Sequence, residues 1–252
     1  MSTGAVVVTR AEGTDGPLGR ELKSLGLSVL LWPAVRVTPA DPGELTRALA
    51  GIGRFNWIVF ASRHAVAAVL GQLPAAVPGL RVAAIGTSTA QVLRQRGWPV
   101  DLLPEEASAA ALVAAFAAPV AASRVPLRVL YPASSRALPT IATGLRQLGA
   151  EVVQVQAYRT EAATLDVAAC RDCIARSAVA AVTFASPSAV EELAAALGPR
   201  DFGRLLAQAP AIAIGRTTAR ALSERGHHSV IAATATLGGL AATTHRLLQS
   251  RS

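Results

Sequence analysis

The sequence predicts an α/β protein with two flavodoxin-like, five-stranded parallel sheets that arise from an internal duplication. Short β-branched apolar runs alternate with Ala- and Leu-rich helical stretches along the whole chain, and motifs of the first half return in the second. Continuous apolar runs are typical of parallel strands that are buried on both faces. The predicted strands are Ala5–Thr9, Val29–Trp32, Trp57–Phe60, Val82–Ile85, Val100–Leu103, Leu127–Tyr131, Val152–Gln156, Ala181–Phe184, Ala211–Ile214 and Val230–Ala232.

Two motifs carry the repeat. The Phe-Ala-Ser sequence of Phe60–Ser62 returns at Phe184–Ser186, and the Ala-Ile-Gly sequence of Ala84–Gly86 returns at Ala213–Gly215. A repeat of about half the chain length is the size of a domain and too long for a solenoid unit. The repeat and the number of strands therefore argue against the alternative for alternating strands and helices, a closed eight-stranded barrel.

The composition predicts a globular protein and favours a small anionic partner over a nucleic acid. Of the 252 residues 52% are apolar and 16% charged, which is enough apolar surface for one large or two ordinary cores. The formal charge is +8, and Lys23 is the only lysine, so the positive charge is almost entirely arginine. A GC-rich genome would explain the arginines, and so would an anionic ligand, because guanidinium binds carboxylate or phosphate through two hydrogen bonds. Aromatic residues make up only 4%, which speaks against a nucleic-acid partner.

Neither a membrane span nor a metal centre is predicted. The most apolar stretch, residues 107–122, is mostly Ala and contains Pro119, whereas a spanning helix needs about 20 strongly apolar residues. Residues 1–9 lack the basic region of a secretory signal, so we expect a cytoplasmic protein. The Cys170-Arg-Asp-Cys173 sequence has no second pair of ligands for zinc and is interpreted as a chance pair inside a helix.

Hydroxyl groups and glycines follow the predicted strands. In open parallel sheets, ligands bind beyond the carboxyl ends of the strands, where these residues lie. Each group opens a helix, so the hydroxyls can cap backbone N–H groups, and helix N-termini that face a cleft suit carboxylates. Capping alone is the alternative interpretation. The candidate binding residues are Ser62, Gly86, Thr87, Thr89, Ser186, Ser188, Gly215, Thr217 and Thr218, with Ser88 as a further capping candidate.

Common catalytic and nucleotide motifs do not occur around these residues. Neither glycine lies in a GxGxxG, and the chain has no GxxxxGK[ST], GxSxG or HExxH sequence. This speaks against a dinucleotide site, a P-loop and most hydrolase templates.

Seven segments along the chain form an ordered set: Thr9-Arg10, Trp57–Val66, Ile85–Ala90, Leu130–Arg136, Ala157–Thr160, Phe184–Ala189 and Ile214–Ala219. Taken in this order, they resemble the uroporphyrinogen-III synthase family over essentially the whole chain. The resemblance implies that the two domains are not the two halves of the sequence. Residues 1–36 and 165–252 would form one domain and residues 40–158 the other, with linkers near 34–40 and 157–164.

The resemblance also implies the chemistry. The family's substrate is hydroxymethylbilane, a linear tetrapyrrole with acetate and propionate side chains, and no cofactor is expected. Tyr158 would be the catalytic acid, since a phenol with a pKa near 10 stays protonated at neutral pH. Its alternative role is to pack at a strand end. Arg10 and Arg136 would bind carboxylates, as would Arg216, which departs from the proline or small residue often found there.

Two other functions are compatible with the same fold. One is a non-catalytic, two-lobed anion-binding or regulatory module, against which Tyr158 and the ordered segments argue. The other is a flavin-binding protein, against which the scarcity of aromatic residues argues. A monomer that binds neither nucleic acid nor membrane is expected.

Overall fold

Ten strands form two five-stranded sheets in the computed structural model, which describes residues 4–13 and 15–250. The strands are β1 (Ala5–Val8), β2 (Val29–Leu31), β3 (Val35–Pro39), β4 (Trp57–Phe60), β5 (Arg81–Ala84), β6 (Arg128–Ser134), β7 (Glu151–Ala162), β8 (Val179–Phe184), β9 (Ala211–Ala213) and β10 (Ser229–Ile231). One sheet has the order β10-β9-β8-β1-β2 and the other the order β3-β7-β6-β4-β5. The predicted α/β fold with two five-stranded sheets is confirmed.

Helices connect the strands. They are α1 (Pro17–Ser24), α2 (Pro42–Ala50), α3 (Arg63–Leu70), α4 (Thr87–Gln95), α5 (Ala109–Ala115), α6 (Ala117–Ala122), α7 (Thr140–Gln147), α8 (Val167–Ala175), α9 (Pro187–Gln208), α10 (Arg216–Ser223) and α11 (Leu237–Gln249). Helix α9 is broken at Gly198, whose φ of 77° suits glycine and which precedes Pro199.

The chain divides into two units. The terminal unit comprises the residues up to Arg36 and from Glu161 onward, and the central unit comprises Val37–Thr160. Each unit contains one sheet with an apolar cluster on either face. In the central unit Ile58 and Phe60 belong to one cluster, while Trp57 and Val59 belong to the other. This alternation is the period of two that a strand imposes on its side chains.

The structure differs from the predicted strands at two places. Val100–Leu103 is not a strand, since only an isolated bridge joins Leu102 to Ala83. The carboxylate of Asp101 accepts the backbone N–H of Val82 at 2.7 Å, so a side chain takes the place of a ladder carbonyl. Strand β3 was not predicted and lies in the segment predicted as a linker at 34–40, and β7 extends through the other predicted linker as far as Ala162. Three of the residues in β3 are β-branched, a composition typical of strands, but Arg36 and Pro39 leave no unbroken apolar run in the sequence.

Gly86 and Gly215 occupy equivalent positions, each at the N-cap of a helix, but their surroundings differ. A Cβ on Gly86 would lie 2.7 Å from the Cβ of Ala107, whereas a Cβ on Gly215 would find its nearest neighbour, Ala235, at 3.9 Å. The backbone at both is extended and open to any residue.

We therefore expect Gly86→Ala to destabilise the protein by about 1–3 kcal/mol more than Gly215→Ala, because only the first overpacks its site. Both variants replace a glycine N-cap by alanine, so the capping contribution is common to the pair. Chemical denaturation of the two variants measures the difference. Equal losses of stability would contradict the crowding at Ala107.

Candidate functional site

Two of the predicted caps are present at the strand ends. Ser62 precedes α3 and its hydroxyl accepts the N–H of Ala65 at 3.1 Å. Ser186 precedes α9 and accepts the N–H of Ala189 at 3.2 Å. Both serines have extended backbones, as an N-cap requires. The prediction that these two serines cap their helices is confirmed.

The other two helices of the repeat begin differently. Gly86 caps α4 and Gly215 caps α10, and neither cap has a side-chain hydrogen bond. The predicted capping by Thr87, Ser88, Thr217 and Thr218 is therefore wrong, and so is that by Ser188, because Ser186 is the N-cap of α9. The physical reason is that these residues lie within the helix, after the cap, where their hydroxyls do not take the N-cap geometry. The first N–H groups of α4 and α10 have no side-chain cap.

Burial separates the threonines of these two helices. Thr87 and Thr217 are exposed, whereas Thr89 and Thr218 are only 3% and 2% exposed. Ser188, in the first turn of α9, is half-buried. The assignment of these residues to substrate binding stays a prediction.

Arg10 contacts a carboxylate of its own chain. Its Nε lies 3.2 Å from Oε2 of Glu12, whose side chain is 2% exposed. The same carboxylate accepts the backbone N–H groups of Gly19 at 2.7 Å and Leu18 at 3.3 Å. Glu12 thus caps α1 in place of Gly16, and a Cβ on Gly16 would collide with it. The predicted role of Arg10 toward substrate carboxylates stays a prediction beside this structural one.

Tyr158 lies at a β-bulge in β7. Ala133 of β6 is paired with Gln156 and Ser134 with Tyr158, so β7 contains one extra residue at this point. A bulge interrupts the alternation of side chains and can redirect one of them. Tyr158 accordingly packs against the same apolar cluster that contains Ala157, although the two residues are adjacent in sequence.

Hydroxyl groups of the β6 end hold the backbone around Tyr158. The N–H of Ser135 donates to the carbonyl of Tyr158 at 3.0 Å, and the hydroxyl of Ser135 accepts the N–H of Thr160 at 3.1 Å. The hydroxyls of Ser134 and Thr160 lie 2.9 Å apart. Arg136 is exposed and its N–H donates to the hydroxyl of Ser134, which places this predicted site residue at the same strand end.

A cavity of about 340 Å³ adjoins Tyr158 within the central unit. Its walls come from β3, α2, α3 and β7, and they are mostly apolar, with Leu45 and Ala157 among them. The polar side chains in the lining include Asp41, His64, Gln72 and Tyr158. The rings of His64 and Tyr158 are 5.4 Å apart and inclined at 48°.

Asp41 and His64 are cavity residues that the sequence-based prediction missed. A signal for His64 exists in the repeat: it stands two residues after Ser62, as Ser188, a predicted site residue, stands two residues after Ser186. Asp41 precedes Pro42 in a pattern typical of a helix start, and this pattern says nothing about a cavity.

The second tyrosine, Tyr131 on β6, is 3% exposed. Burial, with a smaller contribution from neighbouring Tyr158, raises the pKa of Tyr131 to about 12. Its phenol is protonated at any physiological pH.

Of the two cysteines, Cys170 has the features of a buried structural thiol, while Cys173 is partly exposed. Cys170 lies inside α8 and is 1% exposed, and its pKa is raised to about 12, first by burial and then by Cys173 and Asp166. Reactive cysteines have lowered pKa values. In the part of the chain that the structure describes, no three His, Cys, Asp or Glu residues form a potential metal site. No helix within 4–13 and 15–250 is long and apolar enough to cross a membrane.

Comparisons of the sequence with a family model and with known proteins all indicate the same family. The family model described as uroporphyrinogen-III synthase HemD matches residues 17–242. A uroporphyrinogen-III synthase of Synechococcus elongatus is 34% identical over 163 residues, which are 62% of this chain and 60% of that protein. The uroporphyrinogen-III synthase of Chlorobaculum parvum is 27% identical over 229 residues, 88% of this chain and 89% of that protein.

Solved structures share the fold. A mutant uroporphyrinogen III synthase of Thermus thermophilus has a TM-score of 0.67 at 19% identity, and the superposition covers 98% of this chain and 100% of the Thermus chain. A uroporphyrinogen-III synthetase of Helicobacter pylori has a TM-score of 0.60 at 17% identity, with coverages of 97% and 99%. Because the family model matches most of the chain, the chain belongs to the uroporphyrinogen-III synthase family, whose members are lyases.

Proposed function

We propose that the chain closes hydroxymethylbilane into uroporphyrinogen III, with loss of water and inversion of the terminal pyrrole ring. The observation that carries this proposal is Tyr158, the tyrosine of the family-like Ala-Tyr-Arg-Thr segment, which a bulge directs to the wall of a cavity in the central unit.

The first step is the departure of the terminal hydroxyl. Tyr158 donates its phenolic proton to the hydroxyl oxygen, the carbon–oxygen bond breaks, and water leaves. The lone pair of the pyrrole nitrogen stabilises the carbon that has lost its oxygen, and the ring becomes an electron-deficient azafulvene with a positive charge. Tyr158 remains as the phenolate.

Ring closure follows by attack of the distal pyrrole through its substituted carbon. In the resulting spiro intermediate the bond from that substituted carbon to the methylene bridge of the neighbouring ring breaks, and the neighbouring ring takes over the positive charge as an azafulvene. The distal ring turns over, and its free α-carbon forms the final bond to that methylene carbon. The α-carbon then loses its proton, which returns to the phenolate of Tyr158 and restores the starting enzyme. The proton and the hydroxyl together account for the water that is lost. Because the free substrate closes readily without inversion, the main contribution of the protein is to hold one folded conformation.

Several donor groups suit the carboxylates of the substrate. The N-termini of α4 and α10 have backbone N–H groups without a side-chain cap, and such groups bind anions well. Arg136 and Arg216 are exposed at strand-to-helix junctions in the two units. We assign these groups to carboxylate binding, with Arg10 and the binding residues predicted from the sequence.

We also propose that the two units are domains that arose by duplication and exchange of halves, joined by two linkers. In the central unit the Phe-Ala-Ser strand β4 lies between β5 and β6, and in the terminal unit the corresponding strand β8 lies between β9 and β1. The equivalent order of the repeated strands supports a common origin. A monomer that acts in the cytoplasm without a cofactor completes the proposal, and its mass in solution tests the oligomeric state.

The activity is tested by incubating the purified protein with freshly made hydroxymethylbilane and separating the product isomers. We expect uroporphyrinogen III in large excess over isomer I, the product of unassisted closure. Isomer I alone, formed at the rate seen without protein, would overturn the proposal.

Salt is expected to weaken substrate binding. Ion pairs at exposed arginines are screened over about 8–10 Å at physiological ionic strength. The Michaelis constant should therefore rise as NaCl is added, while kcat changes little. A Michaelis constant that stays flat across a wide range of salt would show that uncharged contacts dominate binding.

A further inference from the structure

The cavity beside Tyr158 is small for a tetrapyrrole. At about 340 Å³ it lies near the lower end of the roughly 300–1,000 Å³ that enclose drug-sized ligands. Its size suits one substituted pyrrole ring and not four. Because Tyr158 lines it, the ring that fits the proposed function is the one that bears the hydroxymethyl group, so the inference drawn from this cavity rests on that function.

The lining suits the face and the nitrogen of such a ring. Leu45 and Ala157 supply apolar contact, while Asp41 supplies the one carboxylate among the described residues that line the cavity. A carboxylate repels the acetate and propionate groups of the substrate but accepts a hydrogen bond from a pyrrole N–H. The charge at this wall therefore favours the nitrogen side of the ring over its acidic side chains.

Asp41 is held in place by its own helix. It is the N-cap of α2, and its Oδ1 accepts the N–H of Gly43 at 3.0 Å. One oxygen is thus used for the cap, and the carboxylate is fixed before any ligand binds. A fixed charge needs little reorganisation during the reaction, which is one condition for effective electrostatic catalysis. The side chain of Asp41 is exposed, so the bound ring itself has to exclude water from this carboxylate.

We propose that Asp41 is a second catalytic residue, whose carboxylate receives the N–H of the hydroxymethyl-bearing pyrrole and stabilises the positive charge that forms there as the hydroxyl leaves. The ring is neutral in the bound substrate and cationic once the carbon–oxygen bond breaks. The carboxylate therefore stabilises the transition state more than the ground state, and this difference raises kcat without tightening binding. Asp41 and Tyr158 act on the same step, one on the ring and the other on the leaving group.

The test is a variant that removes the negative charge of Asp41 and keeps a side-chain cap on α2. Asn is as good an N-cap as Asp, so Asp41→Asn should preserve α2. We expect kcat to fall about 10–100-fold, less than the roughly 10²–10³-fold loss for a water-excluded group, because Asp41 is exposed. The Michaelis constant should be unchanged or lower, and the melting temperature unchanged. The matched control is Asp166→Asn, since Asp166 caps α8 in the same way, by accepting the N–H of Ala169 at 3.0 Å, and does not line the cavity.

The outcomes separate cleanly. A kcat for Asp41→Asn within twofold of the parent overturns the role of Asp41, and so does an equal loss in both variants, which would report only the change in net charge. If the melting temperature of either variant falls, kcat is compared at a temperature where both are fully folded. A parent protein that forms no uroporphyrinogen III contradicts the proposed function itself, before the variants are compared.

Discussion

Tyr158→Phe is expected to lower kcat by about 100-fold and to leave the melting temperature unchanged. The substitution removes one hydroxyl and keeps the ring against the apolar cluster and His64. General-acid assistance contributes about 10²–10⁴-fold, and we expect the lower end because the pyrrole nitrogen already helps to expel the hydroxyl. The ratio of isomer III to isomer I among enzymatic products should change little, since the bound conformation and not the proton decides which carbon attacks.

The chain offers a matched control for this variant, because it contains only one other tyrosine. Tyr131 is buried on the neighbouring strand, and its pKa is raised to about 12. Tyr131→Phe removes a single phenolic hydroxyl, as Tyr158→Phe does, but from a residue that does not line the cavity. We expect a much smaller change in kcat for Tyr131→Phe. Steady-state rates and melting curves on both variants are the measurements. A Tyr158→Phe rate within twofold of the parent would limit Tyr158 to a packing role.

Truncating Phe60 or Phe184 is expected to unfold one unit in preference to the other. The two phenylalanines are equivalent in the repeat, both are 0% exposed, and each packs edge-to-face on another ring, Trp98 or Phe202. Replacing a buried Phe with Ala costs about 3–5 kcal/mol. Each apolar cluster described lies within a single unit, so Phe60→Ala should destabilise the central unit and Phe184→Ala the terminal unit.

Calorimetry measures the midpoint of each thermal unfolding transition in the two variants. Hydrogen exchange on the same samples assigns each transition to the residues that unfold in it. We expect the two variants to shift different transitions. If both lowered one shared transition by the same amount, the units would unfold together and the proposal of two independent domains would fail.

Nine of the ten strands, two of the helix caps and the repeat follow from local sequence, whereas β3 was missed. A buried parallel strand is an unbroken apolar run, so β1, β4 and β8 are visible without any knowledge of their neighbours. Ser62 and Ser186 are caps because a serine before a helix binds the N–H three residues ahead, within the same stretch of chain. These features depend on sterics and hydrogen bonds over a few residues, and for that reason the sequence alone determined them.

The tertiary structure decided the rest. Val100–Leu103 has a strand-like composition, but the Asp101 carboxylate bonds to Val82 and leaves only a bridge, a contact that no local pattern reveals. The direction of Tyr158 depends on a bulge in the pairing of β6 with β7. Asp41 and His64 become site residues only because α2 and α3 lie beside β7, and in the sequence each is an ordinary polar residue at the start of a helix. A cavity is formed by segments that are distant along the chain, so its lining is set by packing between elements and not by the propensities within them.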